Sequence, residues 1–391
     1  MLRISIDSLK SGMKLGKGIY SEDGRLLLGR GVPLTPYYIR RLHQLGIFSV
    51  YIHDEDTEDV IPVENISEAV RGSTLRHMKK LFGTIEELGR EVKEATIESV
   101  QDAVSSDKFQ KTFRNHPAFR QIREDAALIV DQLLAGEVVI GLNSIKTYDN
   151  YTFQHSIDVT IVSIMIGRRI GLSPPRLREL GIGCILHDIG KTFVPLEILN
   201  KPGKLTPEEF ARIKAHTTIG FELVRGTETI GILPPHVVFQ HHEKQDGNGY
   251  PRGIMGNNRL DISDEPKTIH LYGSIAAVAD VYDALSSDRP YRKALSPEDV
   301  ISTLCGMSGT DLNREIIRNF LAITPVYPVG NTVRVTRGRY IHCSGVVIQL
   351  NSDKLDRPLV RLIFDGRRKR MAPVEIDLIH EEETEIVSVI L

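Results

Sequence analysis

The sequence contains no tryptophan and only three cysteines among its 391 residues. Cys184, Cys305 and Cys343 are widely spaced and odd in number, so they build neither a disulfide framework nor a cysteine-based zinc motif. Such sparse use of cysteine is typical of a reducing compartment. We interpret Cys184 as a buried core residue, because a free cysteine behaves as a small apolar side chain.

Long apolar runs and a strong net charge are also missing. No stretch approaches the ~20 apolar residues that cross a bilayer, and the first residues lack the charged-then-apolar pattern of a signal peptide. The formal net charge of −2 gives no overall attraction to nucleic acid, so an anion site must be local. We therefore expect a cytoplasmic protein with neither a membrane nor a nucleic acid polymer as its partner.

Four segments differ in pattern, and together they predict a multidomain chain with a mainly α-helical bundle at its core. Short β-type runs and one helix predict a small α+β module at the N-terminus, and alternating runs near the other end predict a small β module. An acidic linker and a charged helical connector follow the first module. The predicted segments are 1–55 (α+β module), 56–115 (linker and connector), 116–322 (helical bundle) and 323–391 (β module).

The connector carries an apolar stripe at helical spacing. It consists of Leu75, Met78, Leu81, Phe82, Ile85 and Leu88. A stripe of this kind shows only that one helix face is buried. Two interpretations remain open, namely a homodimer formed through the 60–115 helical segment and packing of the stripe on its own chain.

The segment from 155 to 280 concentrates the side chains that bind metal ions. Its centre is His187-Asp188-Ile189-Gly190-Lys191, and further candidate ligands lie far along the chain on both sides. These are His155, His216, His241, His242 and Asp280. Neutral imidazole and carboxylate groups hold divalent iron, manganese or zinc.

Most of these candidates fall on predicted apolar helices. Thr206-Pro207-Glu208-Glu209 is a capping box, and helical spacing puts Phe210, Ile213 and His216 on the inward face of the helix that it opens. Asp280 lies among small and apolar residues, where a buried carboxylate must be paired or bind a metal. Helix bundles build metal sites from inward side chains in this way. A lone histidine would favour a hydrogen-bonded core residue, but the whole set favours a site.

Adjacent His241 and His242 constrain where that site lies. On a helix they point about 100° apart, so both reach one site only near a helix end. The following residues, 243–251, are rich in glycine and polar side chains and predict such an end.

Residues from about 116 to 320 resemble an HD-GYP domain, and this resemblance covers about half of the chain. The first 55 residues also resemble the small module that precedes some such domains. The motifs that carry the resemblance are His187-Asp188-Ile189-Gly190-Lys191, Lys201-Pro202-Gly203-Lys204-Leu205-Thr206, His241-His242-Glu243, Asp246-Gly247-Asn248-Gly249-Tyr250-Pro251, Asp280-Val281-Tyr282-Asp283-Ala284-Leu285 and Arg289-Pro290-Tyr291-Arg292.

The resemblance implies two divalent transition metals, iron or manganese, bridged by Asp188. One metal would take His155, His187, Asp188 and Asp280, and the other would take Asp188, His216, His241 and His242. Some members bind a third metal through a glutamate four residues before the first histidine. Tyr151 stands at that position and Asp149 is displaced by two residues, so we expect two metals.

The implied substrate is a cyclic dinucleotide, typically cyclic di-GMP, hydrolysed to linear pGpG, GMP or both. Two metals would ionise a bridging water for in-line attack on phosphorus. We expect Asp188 to act in catalysis, and Lys191 to contact the scissile phosphate or protonate the leaving oxygen. Arg289 and Arg292 would bind the other phosphate, while Asp283 and Tyr250 would contact the bases. Glu243 would orient a ligand histidine from outside the ligand set.

Two other functions compete with this hydrolase. The first is a cyclic dinucleotide receptor with weak or no catalysis that signals through its terminal modules. The second is a general HD-type nucleotide phosphohydrolase. The complete ligand set and Lys191 favour the phosphodiesterase over the receptor, and the Gly249-Tyr250-Pro251 loop disfavours the general phosphohydrolase.

Overall fold

The computed structural model describes residues 1–21, 25–47, 49–62, 64–90, 96–114, 116–137, 139–140, 151–201, 203–261, 267–287 and 294–390. The chain is mainly helical and carries a β-sheet near its C-terminal end, as predicted. Among these residues, no helix combines the length and the apolar character needed to cross a bilayer.

The N-terminal part pairs short strands around one helix. Strand β1 pairs with β4, and β2 pairs with β3, both antiparallel. The helix begins after Thr35, whose hydroxyl accepts a hydrogen bond from the Tyr38 amide, and Pro36 fits its first position. The elements are β1 (Leu2–Ser5), β2 (Ile19–Tyr20), β3 (Leu26–Leu28), α1 (Pro36–Gln44) and β4 (Ser49–Ile52).

The middle of the chain folds as helices around one apolar core that extends from Ile66 to Ile323. Helix α6 packs between α7 and α11, and α10 packs on both α7 and α11. The helices are α2 (Glu68–Gly89), α3 (Ile97–Ser105), α4 (Asp107–Arg114), α5 (Ala118–Ala135), α6 (Tyr151–Arg169), α7 (Pro174–Leu186), α8 (Leu196–Leu199), α9 (Pro207–Val224), α10 (Pro234–Gln240), α11 (Leu271–Ser286), α12 (Pro297–Gly306) and α13 (Arg314–Leu321), with a 3-10 helix at Ile189–Phe193.

Helix α2 belongs to this core. The stripe residues Leu75, Met78, Leu81, Phe82 and Ile85 are buried in it, whereas Leu88 is 38% exposed. Packing on its own chain is therefore confirmed for this face, while the oligomeric state stays a prediction.

The C-terminal sheet is antiparallel with the strand order β8-β7-β6-β5-β9. One of its faces has its own small core, and from the other Val346 and Ile363 join the core of the N-terminal part. The strands are β5 (Thr332–Arg337), β6 (Ser344–Asn351), β7 (Lys354–Phe364), β8 (Arg370–Asp377) and β9 (Glu385–Ser388).

The acidic residues near 54–59, expected to form a linker, bind this sheet instead. Arg361 of β7 contacts both oxygens of Asp59 at 2.6 and 2.8 Å. Arg370 of β8 pairs with Asp56 at 2.5 Å and also with Asp54. Two ends of the chain are thus joined by charged pairs beside a shared apolar core.

Candidate metal centre

Five α-helices and one 3-10 helix bring the predicted ligands to one place in the core. Helix α6 supplies His155, the C-terminal end of α7 leads to His187, and Asp188 precedes the 3-10 helix. The remaining ligands come from α9, from the end of α10 and from α11, and they are His216, His241, His242 and Asp280. His241 immediately follows the last residue of α10, so the histidine pair lies at a helix end as predicted.

Asp188 lies in the middle of the cluster and is only 1% exposed. Its Oδ2 is 3.4 Å from Nε2 of His187 and 3.9 Å from Nε2 of His155. Its Oδ1 is 3.5 Å from Nε2 of His216 and 3.9 Å from Nε2 of His241. The two carboxylate oxygens therefore face two different sets of histidines, as a bridging ligand requires.

The donor atoms form two groups, within each of which they lie no more than 4.8 Å apart. One group is His155, His187 and Asp188, and the other is His216, His241 and His242. Asp280 lies beside both, with its Oδ1 3.2 Å from His155 Nε2 and its Oδ2 3.8 Å from His242 Nδ1. The grouping matches the two ligand sets implied by the resemblance, with Asp188 between them.

Backbone carbonyls fix the orientation of three of these imidazoles. Nδ1 of His187 lies 2.7 Å from the Cys184 carbonyl oxygen, and Nδ1 of His216 lies 2.5 Å from that of Ile213. His241 makes the same contact with Val237 at 3.0 Å. Donation from Nδ1–H leaves a lone pair on Nε2, which points into the cluster and is ready to bind an ion.

Asp283 lies inside the core rather than at its surface. It was expected to contact a base, but it is fully buried and its Oδ2 lies 2.7 Å from Nδ1 of His155. The reason is geometric, since Asp283 follows Asp280 by nearly one turn of α11 and both face α6. Its carboxylate orients the first histidine of the cluster, and the spacing from Asp280 was the available signal.

Two buried polar atoms provide a test of whether a metal fits. Nε2 of His187 and Oδ1 of Asp188 are buried and, within the described part of the chain, have no hydrogen-bond partner. Buried polar atoms nearly always have one. Both face the cluster, and a bound divalent cation would satisfy both, so the donor set fits a metal.

Burial also keeps the second group of histidines neutral. It lowers the pKa of His216 to about 3 and of His242 to about 4, and it holds the pKa of His241 well below its usual value. Burial opposes the ionisation of Asp188, but His187 and Lys191 outweigh it and hold the pKa of that carboxyl well below its usual range. Neutral imidazoles around an ionised carboxylate are the forms that bind metals.

His155 behaves in the opposite way. Burial would lower its pKa, but the hydrogen bonds with Asp280 and Asp283 outweigh burial and raise the pKa to about 9. Both ring nitrogens of His155 therefore contact a carboxylate, Nε2 that of Asp280 and Nδ1 that of Asp283.

Lys191 reaches the cluster from its edge. Its ammonium Nζ lies 2.6 Å from Oδ2 of Asp188, and its side chain is 27% exposed. Lys191 therefore contacts both the Asp188 carboxylate and solvent. Gly190 permits this arrangement, because a Cβ there would overlap the carbonyl of His216 on α9.

The loop after α10 covers the second group of histidines. The Tyr250 amide donates to the His242 carbonyl at 3.1 Å, and the two side-chain rings lie 4.7 Å apart. Gly249 has no space for a side chain, since a Cβ would collide with the backbone of residues 243 and 244.

Glu243 was expected to orient a histidine, but its carboxylate accepts hydrogen bonds from the Arg252 and Ile254 amides at 2.8 and 3.2 Å. It shapes the loop instead.

Several predicted residues lie elsewhere or outside the described chain. Arg289, Arg292 and Asp149 lie outside the described residues, and of Tyr151 only the backbone is described, at the start of α6. Phe210 was predicted to face inward, but it is 45% exposed. The first turn of α9 extends beyond the apolar core. Helical periodicity alone therefore predicts an inward position that Phe210 does not have.

Comparison with known proteins places the chain in a class. The HD domain family matches residues 143–316. A cyclic di-GMP phosphodiesterase of Pseudomonas aeruginosa is 35% identical over 256 residues, which is 64% of this chain and 58% of that protein. Another, from Thermotoga maritima, is 38% identical over 197 residues, 49% of this chain and 51% of that protein.

A third relative has a different named substrate. The 3'3'-cGAMP-specific phosphodiesterase 1 of Vibrio cholerae is 33% identical over 185 residues, 45% of this chain and 40% of that protein. The chain thus spans between two fifths and three fifths of the length of these relatives.

Residues 143–316 are therefore an HD domain. The His187-Asp188 and Gly249-Tyr250-Pro251 motifs lie within this segment, and the resemblance to HD-GYP domains that the sequence indicates is confirmed.

Proposed function

We propose that this protein is a metal-dependent phosphodiesterase that hydrolyses cyclic di-GMP to linear pGpG, GMP or both. The observation that carries the proposal is the position of Asp188, whose two buried oxygens face two separate sets of histidines. Two-metal sites of this kind are a recurrent solution for phosphodiester hydrolysis. The names of the aligned relatives supply the substrate class.

The proposed ligands are divided between two ions. His155, His187, Asp188 and Asp280 would hold one ion, and Asp188, His216, His241 and His242 would hold the other. Nitrogen and oxygen donors without thiolates suit iron or manganese. When bound, the pair would supply Lewis-acid activation of water and neutralise charge on the phosphoryl group. We propose two ions rather than three because tyrosine replaces the glutamate at residue 151.

Lys191 is the proposed cation at the reacting phosphate. Its ammonium lies at the edge of the buried cluster and beside Asp188, so it can meet a phosphate that enters from solvent. It would stabilise charge that develops on a phosphoryl oxygen or donate a proton to the departing ribose 3′ oxygen. Arg289 and Arg292 stay proposed as contacts of the second phosphate, and Tyr250 as a base contact.

A receptor is the alternative function, and a cyclic dinucleotide with mixed bases is an alternative substrate. The complete set of donors favours turnover over binding alone, because a receptor does not need a carboxylate placed between two groups of histidines. The Vibrio cholerae relative named as cGAMP-specific shows that substrate names differ among the relatives of this chain.

Anaerobic purification followed by metal analysis and incubation with cyclic di-GMP tests the proposal. We expect about two transition-metal ions per chain, the stoichiometry of a two-metal site, and linear or mononucleotide product on chromatography. Parallel reactions with the mixed cyclic dinucleotide and a panel of mononucleotides establish selectivity. Tight binding of cyclic di-GMP to metal-loaded protein without any product would establish the receptor instead.

A further inference from the structure

An exposed aromatic ring lies beside the metal centre and has no role in the function proposed above. Phe210 is 45% exposed, although the large apolar residues of the helical core are mostly buried. It sits in the first turn of α9, which is fixed by the reciprocal capping bonds of Thr206 and Glu209. Lys201 pairs with Glu209 at 2.6 Å and braces the same turn. The ring is therefore presented by a rigid element.

Ring contacts connect Phe210 to the ligand histidines. Its ring centroid is 6.3 Å from that of Tyr250, with the planes at 81°. Tyr250 in turn lies 4.7 Å from the His242 ring at an angle of 30°. The Phe210 ring thus contacts Tyr250, which in turn contacts His242, a proposed metal ligand.

Positive charge accompanies the ring. Nζ of Lys214, one turn along α9, lies 5.1 Å from the Phe210 centroid. A single exposed apolar side chain needs no functional explanation. An exposed ring with a cation beside it, next to a candidate phosphodiesterase centre, matches a ligand that carries both an aromatic base and negative charge.

We infer that Phe210, in T-shaped contact with Tyr250 and with the mobile end of the Lys214 side chain over one ring face, offers its other face as the stacking surface for one purine base of the cyclic dinucleotide. This inference rests on the proposed function and adds a specificity-determining residue to it. Phe210 acts on binding of the base and does not reach the reacting phosphate, which lies at the ligand cluster. Its removal therefore weakens substrate binding and leaves the chemical step unchanged.

The test compares Phe210→Ala, Phe210→Leu and Phe210→Tyr with the wild-type metal-loaded protein. Loss of one stacked base raises the KM for cyclic di-GMP on the order of tenfold, with kcat within about twofold. Phe210→Tyr has the wild-type KM because it keeps an aromatic ring, whereas Phe210→Leu has the raised KM. Ile232→Ala is the matched control, since Ile232 is an apolar side chain that is 85% exposed.

An unchanged KM in Phe210→Ala would overturn the inference. A wild-type KM in Phe210→Leu would also overturn it, because an apolar side chain without a ring would then be sufficient. A fall in kcat with a constant KM would also contradict it. Each of these outcomes requires measurable hydrolysis of cyclic di-GMP, so none of them contradicts the proposed function. Wild-type protein that loads metal but neither binds nor hydrolyses a cyclic dinucleotide would refute the proposed function, and the stacking surface with it.

Discussion

Two regions of this molecule use charged side chains to join segments that are distant in the sequence, and they do so in different surroundings. In the metal centre, Asp188 is buried among histidines from separate helices. Between the N-terminal part and the C-terminal sheet, Arg361 and Arg370 pair with partly exposed carboxylates. Water can replace the partners in the second region but not in the first, so the cost of losing a partner differs.

The energetics of burial predict that the two regions respond differently to substitution. A buried carboxylate is costly unless it is paired or binds a metal, which makes the metal centre sensitive to every change. Exposed ion pairs are screened and contribute little, so the terminal interface depends on its shared apolar core. The difference can be measured by substituting one charged residue at a time, beginning where the expected effect is greatest.

Removal of the shared ligand gives the largest effect. We expect Asp188→Ala and His187→Ala to lose both bound metal and hydrolysis of cyclic di-GMP, because each removes a donor whose buried atom faces the cluster. Metal analysis and product chromatography on the same preparation check this. Activity retained in either variant would contradict the assignment of these ligands.

Loss of Lys191 should separate catalysis from metal binding. We expect Lys191→Ala to keep its metal and to lose roughly 10²–10³-fold in kcat, since it removes one group that stabilises developing charge. Lys354→Ala serves as a control, because that exposed lysine begins β7 in the C-terminal sheet. An unchanged kcat in Lys191→Ala would remove its proposed role.

Asp283 offers a smaller effect on the same site. Asp283→Asn keeps the shape of the side chain but weakens its hold on His155, so we expect a ~10–100-fold loss of metal affinity, as for other groups that orient a ligand. Titration of the stripped protein with manganese measures it. Excess manganese should restore activity. A variant with normal affinity and a raised KM would favour the base contact that the sequence first suggested.

The sequence was informative about the site because the constraints there are local. Ligand types, their positions on apolar helices and a helix end close to His241 and His242 could all be predicted from neighbouring residues. Asp283 could not be assigned, because its partner His155 lies 128 positions away and is reached only when α6 packs on α11. The helical period of α9 predicts Phe210 on its inward face, but it does not show at which turn the helix leaves the apolar core. Phe210 is exposed for that reason.

The terminal interface could not be predicted for the same physical reason. The acidic residues near position 56 have the composition of a solvated linker, and only the fold brings the sheet arginines beside them, more than 300 positions later. A pattern of charge predicts exposure. It does not predict which opposite charge lies across a surface formed by two ends of the chain.

The smallest effect is expected at this interface. Arg370 is 47% exposed, so Arg370→Gln should lower the free energy of unfolding by less than about 1 kcal/mol. Arg71→Gln is the matched buried case, because Arg71 lies 2.8 Å from the fully buried Asp158. Loss of that guanidinium should cost about 3 kcal/mol. Urea unfolding of both variants measures the two free energies. Equal losses would mean that burial does not set the strength of these two ion pairs, and a larger loss for Arg370→Gln would make the exposed pair the more stabilising of the two.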